Sequence, residues 1–165
     1  DDPLLNVRHV KGRDPRPIAI DGRLRSDAVA RLFSRPGAIL ATGQNAPADK
    51  LRAIEATGTE VWTFAEREGR IELRDFAERA AAANITSLIV EGGGELAAAF
   101  LREKLVDQVH IYIAPRILGT GIAAIADLHS EKIADSLQLK QVQTRRLGTD
   151  LLYTAEVEYP CLQDS

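Results

Sequence analysis

With 165 residues, of which 45% are hydrophobic and 27% charged, the chain is long enough and apolar enough for one domain with a real core. Its formal net charge of −3 provides no basic footprint for nucleic acid, and no apolar run approaches the roughly 20 residues that cross a bilayer. The single Cys161 cannot form an internal disulfide and the three histidines have no metal-ligand spacing, so we expect a cytoplasmic protein without a metal site.

Strand and helix patterns alternate along the chain to about residue 114. Short apolar or β-branched runs predict strands at 16–21, 38–41, 60–64, 86–90 and 109–114. Helical spacing and stop signals predict helices at 28–33, with Ser26 as its N-cap, and at 49–56, 75–83 and 96–105. This alternation favours a parallel α/β sheet. Two extended segments, 137–147 and 151–158, then predict an antiparallel hairpin.

Three consecutive glycines, residues 92–94, stand between a predicted strand and a predicted helix. Bare backbone N–H groups at a helix start bind anions, so the run predicts a phosphate site. It also satisfies the dinucleotide pattern G-x-G-x-x-G/A, but three glycines do so trivially. The next strand ends without a carboxylate and the turn comes late, so we reject a Rossmann domain. The alternative is a tight turn with close packing, for which one glycine suffices.

Glu91 ends the strand predicted before these glycines, where open α/β sheets place their ligands. A carboxylate there can accept hydrogen bonds from a polar ligand or handle a proton. The alternative is a carboxylate that stabilises the helix N-terminus through the dipole, a role for which Glu95 is better placed. We therefore assign Glu91 to a ligand.

Two other predicted strand ends carry groups suited to a nucleotide. Asp21 and Gly22 are followed by Arg23 and Arg25, which are either phosphate partners or solvated charges. Thr42 and Gly43 offer a hydroxyl and a bare N–H in the same context.

Six segments, taken in order, resemble the reductase domain of the bacterial riboflavin-biosynthesis deaminase-reductase. They are D-D-P-L-L-N-V-R (1–8), D-G-R-L-R (21–25), I-T-S-L-I-V-E-G-G-G (85–94), L-V-D (105–107), A-P-R-I-L-G (114–119) and L-G-T-D (147–150). The resemblance implies an α/β, dihydrofolate-reductase-like fold: a mixed, mostly parallel sheet flanked by helices, with a C-terminal antiparallel hairpin. It implies a reductase domain at residues 1–160 and a tail at 161–165.

The resemblance also implies a function, the NADPH-dependent reduction of 5-amino-6-(5-phosphoribosylamino)uracil to its ribitylamino form by a homodimer. Hydride transfer to an opened, imine-like sugar needs mainly that the two partners be held together, so no residue is assigned as catalytic. The family's cofactor-binding roles carry over to Asp1, Gly22, Gly93, Gly94, Glu95 and Leu96. Its substrate-binding roles carry over to Leu5, Arg8 and Glu91, with Arg8 near the substrate phosphate.

The sequence departs from the family pattern at its start. Family members usually have a further strand–helix–strand before the D-D-P motif, and the H-x-E and P-C-x-x-C motifs of the zinc deaminase do not occur here. We therefore expect this chain alone to be inactive or weak, with an uncovered sheet edge. Two alternatives stay open: a dihydrofolate-reductase-like reductase of another carbonyl or imine, and a non-catalytic nucleotide-binding or dimerisation module.

Overall fold

The structure is a computed structural model that describes residues 2–159. It divides into two compact units, the first running to Thr86 and the second beginning at Ser87. Each unit contains a three-stranded sheet of its own.

The first unit is built on a parallel sheet. Its strands, in the order β1-β2-β3, are β1 (Ile18–Ile20), β2 (Ile39–Gly43) and β3 (Glu60–Phe64). Central strand β2 is buried along its whole length, as expected for a continuous apolar run between two parallel neighbours. A small antiparallel hairpin follows, formed by β4 (Glu66–Arg67) and β5 (Arg70–Ile71).

Helices cover the first unit's core. They are a 3-10 helix (Arg31–Ser34), α1 (Ala48–Glu55) and α2 (Leu73–Ala82). Helix α2 buries Leu73, Phe76 and Ala80, which share one face at helical spacing. Phe76 lies against Trp62 and Phe64, with ring centroids 6.3 and 6.2 Å away. A second cluster packs the 3-10 helix and α1 on β2 through Leu24, Leu32, Phe33, Ala38, Leu40 and Ile54.

The second unit contains an α-helix and an antiparallel sheet. Its elements are α3 (Gly94–Arg102), β6 (Gln108–Ile113), a 3-10 helix (Ile133–Asp135), β7 (Gln138–Leu147) and β8 (Asp150–Glu158). The strand order is β6-β8-β7, so β6 and β7 are the outer strands of this sheet. On β6, Ile111, Tyr112 and Ile113 are 36%, 66% and 50% exposed.

Most predicted elements form close to their predicted bounds, including α1, β3, α3 and the β7–β8 hairpin. The helix at 28–33 is wrong, because a shorter 3-10 helix begins at Arg31. Ser26 does not cap it: its hydroxyl bonds the Asp21 carboxylate, and that contact outcompetes a helix cap.

The strand at 86–90 is also wrong, since Leu88, Ile89 and Val90 are exposed and have no strand assignment. The parallel sheet does not extend to residue 114, because β6 pairs antiparallel with β8. An apolar run shows that a segment suits a sheet but does not choose its neighbour. The β4–β5 hairpin was not predicted from the sequence. Its turn residues Glu68 and Gly69 both have positive φ, as a two-residue type I′ loop requires.

Candidate functional site

The glycine turn leads directly into α3. Gly93 is the N-cap of this nine-residue helix, and its carbonyl accepts hydrogen bonds from the N–H groups of Leu96 (3.0 Å) and Ala97 (3.2 Å). The first N–H groups of an α-helix have no intrahelical partner, and the helix dipole adds positive potential at this end. The predicted turn before α3 is therefore present, with the polarity that a phosphate needs.

Gly93 and Gly94 differ in whether the fold requires a glycine. A Cβ on Gly94 would lie 2.4 Å from the Ala123 carbonyl oxygen, so packing against the backbone requires glycine there. A Cβ on Gly93 would meet no atom within 4 Å, and its φ of −50° suits any residue. Neither packing nor backbone conformation requires glycine at 93, whereas close approach of a ligand to the backbone would.

Glu91 lies just before the turn, in the segment that has no regular secondary structure. The strand that was expected to end at Glu91 is therefore absent. The Glu91 side chain is nevertheless exposed, so its carboxylate is accessible to a ligand. Glu95 is the acidic residue of the first turn of α3, as the dipole argument anticipates. Leu96 is half-buried on the same turn.

At Gly22, the loop after β1 passes close to the β4–β5 turn. A Cβ on Gly22 would lie 2.4 Å from the carbonyl oxygen of Gly69 in the β4–β5 turn, so glycine is required by that close approach. The Gly22 carbonyl accepts the N–H of Gly43 at 3.0 Å, and the Thr42 hydroxyl donates to the Asp21 carbonyl at 2.7 Å. The interpretation of Thr42 and Gly43 as donors to a nucleotide is therefore wrong, because both donors are used inside the fold.

The opening segment lies on the first unit. Leu5 is half-buried and packs on the cluster that contains Leu24, the residue two positions after Gly22. Arg8 is exposed, as expected of a side chain that reaches a phosphate. Asp1 lies outside the described residues.

The predicted residues thus fall into two local groups. Leu5 and the turn after Gly22 share one apolar cluster in the first unit, and residues 91–96 are contiguous in the second. Sequence reasoning missed the groups that hold the opening segment in place, Arg35 and Asp14. No local signal marks them, because their partners are distant in sequence.

Residues 1–153 match the family model described as the RibD C-terminal domain. The chain belongs to this family. The dihydrofolate-reductase-like fold class predicted from the sequence is confirmed by solved RibD structures: Acinetobacter baumannii RibD superposes with a TM-score of 0.77 at 22% identity, covering 96% of this chain and 44% of that one.

Two relatives of the RibD C-terminal domain show how much of a longer protein is matched. The riboflavin biosynthesis protein RibD of Actinobacillus pleuropneumoniae is 29% identical over 158 residues, covering 92% of this chain and 42% of the relative. A 2,5-diamino-6-ribosylamino-4(3H)-pyrimidinone 5′-phosphate reductase of Archaeoglobus fulgidus is 31% identical over 166 residues, covering 94% and 73%. The chain therefore spans less than half the length of the RibD relative.

Among residues 2–159, no helix combines the length and apolar character needed to cross a membrane. The same residues contain no group of three or more His, Cys, Asp or Glu side chains placed to hold a metal ion.

Proposed function

We propose that the protein binds NADPH and reduces 5-amino-6-(5-phosphoribosylamino)uracil to its ribitylamino form in riboflavin biosynthesis. The Archaeoglobus relative is named as a reductase of a phosphorylated ribosylaminopyrimidinone, which supports a substrate of this class. The structural observation that carries the proposal is Gly93, a helix N-cap whose missing side chain serves no packing purpose.

The glycine turn fits a dinucleotide phosphate. Gly93 would allow its backbone to approach the phosphate, and the N–H groups of Gly94 and Glu95 at the start of α3 would donate to the phosphate oxygens. Leu96, whose N–H bonds the Gly93 carbonyl, would border the cofactor without donating to it. Glu95 would take part through its backbone, because its carboxylate would repel a phosphate. By the resemblance, Asp1 and Gly22 would also take part in cofactor binding. Thr42 and Gly43 have no role in this proposal, because their donors are used inside the fold.

The substrate would be held by three residues. Arg8 is an exposed guanidinium suited to a phosphate, Leu5 offers an apolar surface, and Glu91 offers an acceptor for pyrimidine N–H groups. Bound NADPH would supply a hydride to the imine carbon of the opened sugar and be oxidised to NADP⁺. The imine nitrogen takes a proton from water to give the amine. Catalysis then depends on orienting the partners rather than on an acid–base pair.

We further propose that residues 1–160 act as one reductase domain, with 161–165 as a tail, in a cytoplasmic homodimer. The support for association is the outer position of β6, whose exposed Ile111, Tyr112 and Ile113 form an apolar strand. No nucleic acid or membrane partner belongs to this proposal.

Fluorescence titration with NADPH and NADH, followed by assay of NADPH oxidation with the pyrimidine substrate, tests the function. The protein is expressed from its complete gene and compared with the 165-residue chain. We expect NADPH-selective binding and turnover by the former. Binding of NADPH without its oxidation would instead indicate a nucleotide-binding module. Oxidation of NADPH only with other carbonyls or imines would indicate another reductase. No binding of NADPH would mean that the glycines serve only to form a tight turn.

A variant pair locates the binding. Gly93→Ala adds a methyl group that the fold tolerates and should weaken NADPH binding about tenfold or more, which is 1.4 kcal/mol. Gly121→Ala is the matched control, because its Cβ would lie 3.4 Å from the flexible Leu118 side chain. Equal affinities in the two variants would place the cofactor elsewhere.

A further inference from the structure

The segment that carries Leu5 and Arg8 is held on the first unit by Arg35, in addition to the Asp2 carboxylate, which accepts the N–H of Arg31 at 2.8 Å. Arg35 follows the 3-10 helix, and its Nη1 donates to the carbonyl oxygens of Leu4, at 2.9 Å, and of Leu5. The Arg35 side chain is only 11% exposed. A charge buried to this extent requires partners, and these carbonyls supply part of them.

Asp14 completes the arrangement. Its Oδ2 accepts from Nη2 of Arg35 at 2.8 Å, and its Oδ1 accepts the N–H of Val7 at 2.9 Å. The pair therefore holds the backbone at residues 4, 5 and 7, on both sides of Asn6 and directly before Arg8. We call Arg35 and Asp14 the clamp.

The backbone held by the clamp is in an unfavourable conformation. Leu5 has a φ of 48°, in the left-handed region that residues with a side chain rarely adopt. Such a conformation persists only where surrounding contacts impose it. For Leu5 these contacts are the clamp and the packing of its side chain on the core cluster.

We propose that Arg35 and Asp14 are positioning residues for the pyrimidine substrate, acting through the backbone of residues 4–7 to place Leu5 and Arg8. This inference rests on the proposed function. The clamp holds the backbone of residues 4, 5 and 7, which carries Leu5 and leads directly into Arg8, so loss of the clamp should affect the use of the substrate and leave the affinity for NADPH unchanged.

Steady-state kinetics of the protein expressed from its complete gene test the inference. Arg35→Met should raise KM for the phosphorylated pyrimidine about tenfold, as expected when charge-assisted hydrogen bonds are lost, while KM for NADPH stays within about twofold. Arg35→Lys keeps the charge but loses the planar guanidinium with its several N–H donors, so its KM for the pyrimidine should lie between those of the unaltered protein and Arg35→Met. The matched control is Arg16→Met, which removes an arginine bonded to the Gly37 carbonyl and Glu60 and not to the opening segment.

Asp14→Asn and Asp14→Ala keep the test informative if Arg35→Met does not fold, because the Asp14 side chain is 48% exposed. The asparagine retains an oxygen for the Val7 N–H, so alanine should raise the substrate KM more. Hydrogen exchange at the Val7 amide should quicken in Asp14→Ala and stay unchanged in Arg16→Met. An equal rise of both KM values, or a normal substrate KM with fast Val7 exchange, would overturn the positioning role.

Turnover by the unaltered protein distinguishes failure of the proposed function from failure of the positioning role. If it does not oxidise NADPH with the pyrimidine, the proposed function fails and the substrate role of the clamp fails with it. If it turns over normally and the Arg35 and Asp14 variants match the Arg16 control, only the inference about the clamp fails.

Discussion

One carboxylate oxygen of Asp21, Oδ2, accepts both the backbone N–H of Ser26, at 2.7 Å, and the Ser26 hydroxyl, at 2.8 Å. The two residues close the loop that follows β1, and Gly22 lies inside that loop. Leu24 is buried in the same loop with a φ of 48°, an uncommon conformation for a leucine. The Asp21–Ser26 contact therefore supports both the core and the turn proposed to border the cofactor.

Replacing Asp21 should destabilise the first unit. Asp21→Ala leaves two part-buried donors of Ser26 without their acceptor, which should lower the free energy of unfolding by about 1–3 kcal/mol. Asp21→Asn should cost less, because one oxygen accepts both bonds. Urea unfolding followed by fluorescence measures this directly, since the only tryptophan, Trp62, lies in the first unit. The control Asp27→Ala removes a longer, exposed contact to the Val29 N–H, and an equal loss there would contradict the assignment.

The neighbours Gly93 and Gly94 should lose different amounts of stability on addition of the same methyl group. Gly94→Ala places Cβ 2.4 Å from a backbone oxygen, and overpacking of this kind should destabilise the second unit by about 1–3 kcal/mol. Gly93→Ala should cost less than about 1 kcal/mol, as alanine is the poorer N-cap. Near-ultraviolet circular dichroism at tyrosine wavelengths reports on this unit during urea unfolding, because all three tyrosines, Tyr112, Tyr153 and Tyr159, lie in it. Equal stability of the two variants would refute the packing argument.

The sequence predicted what local patterns encode. Strand β3 formed at the bounds expected from its branched and aromatic residues, and the glycine turn was found because its residues are consecutive. The strand at 86–90 failed because pairing depends on a neighbour that periodicity does not specify. Arg35 and Asp14 were missed because their bonds join residues that are 7 to 31 positions apart, and no short motif records such a contact.

Glu91→Gln should separate substrate use from cofactor binding. The amide keeps the shape of the exposed carboxylate but loses its charge and part of its acceptor capacity. We expect kcat/KM for the pyrimidine to fall about tenfold or more, as for a lost charge-assisted hydrogen bond, with NADPH affinity unchanged in a fluorescence titration. Glu131→Gln, at an exposed position of the second unit with no proposed role, is the control and should leave kcat/KM for the pyrimidine near normal. Parallel losses of substrate use and NADPH affinity in Glu91→Gln would contradict the substrate role.

Glu60 should make stability depend on pH in the acid range. Its Oε1 accepts from the Trp62 indole N–H at 2.6 Å and its Oε2 from Arg16, and these two bonds, the indole first, hold the pKa of Glu60 below its ordinary value of 4.5. Because the folded state lowers the pKa, the stabilisation is fully present above pH 4.5 and is lost as the pH falls through the folded value. The Glu60 side chain is 52% exposed, so the effect should stay below about 1 kcal/mol.

Glu60→Gln removes that titration, so its stability deficit against the unaltered protein should shrink as the pH falls below 4.5. Trp62→Phe keeps an aromatic ring in the core but removes the indole donor, whereas Arg16→Met removes the exposed cation. Since the indole bond contributes most to the lowered pKa, Trp62→Phe should flatten the acid limb of the stability profile more than Arg16→Met does. Urea unfolding at a series of pH values, followed by far-ultraviolet circular dichroism, measures all three profiles. A larger effect of Arg16→Met would show that the ion pair, and not the buried indole, controls the Glu60 carboxyl group.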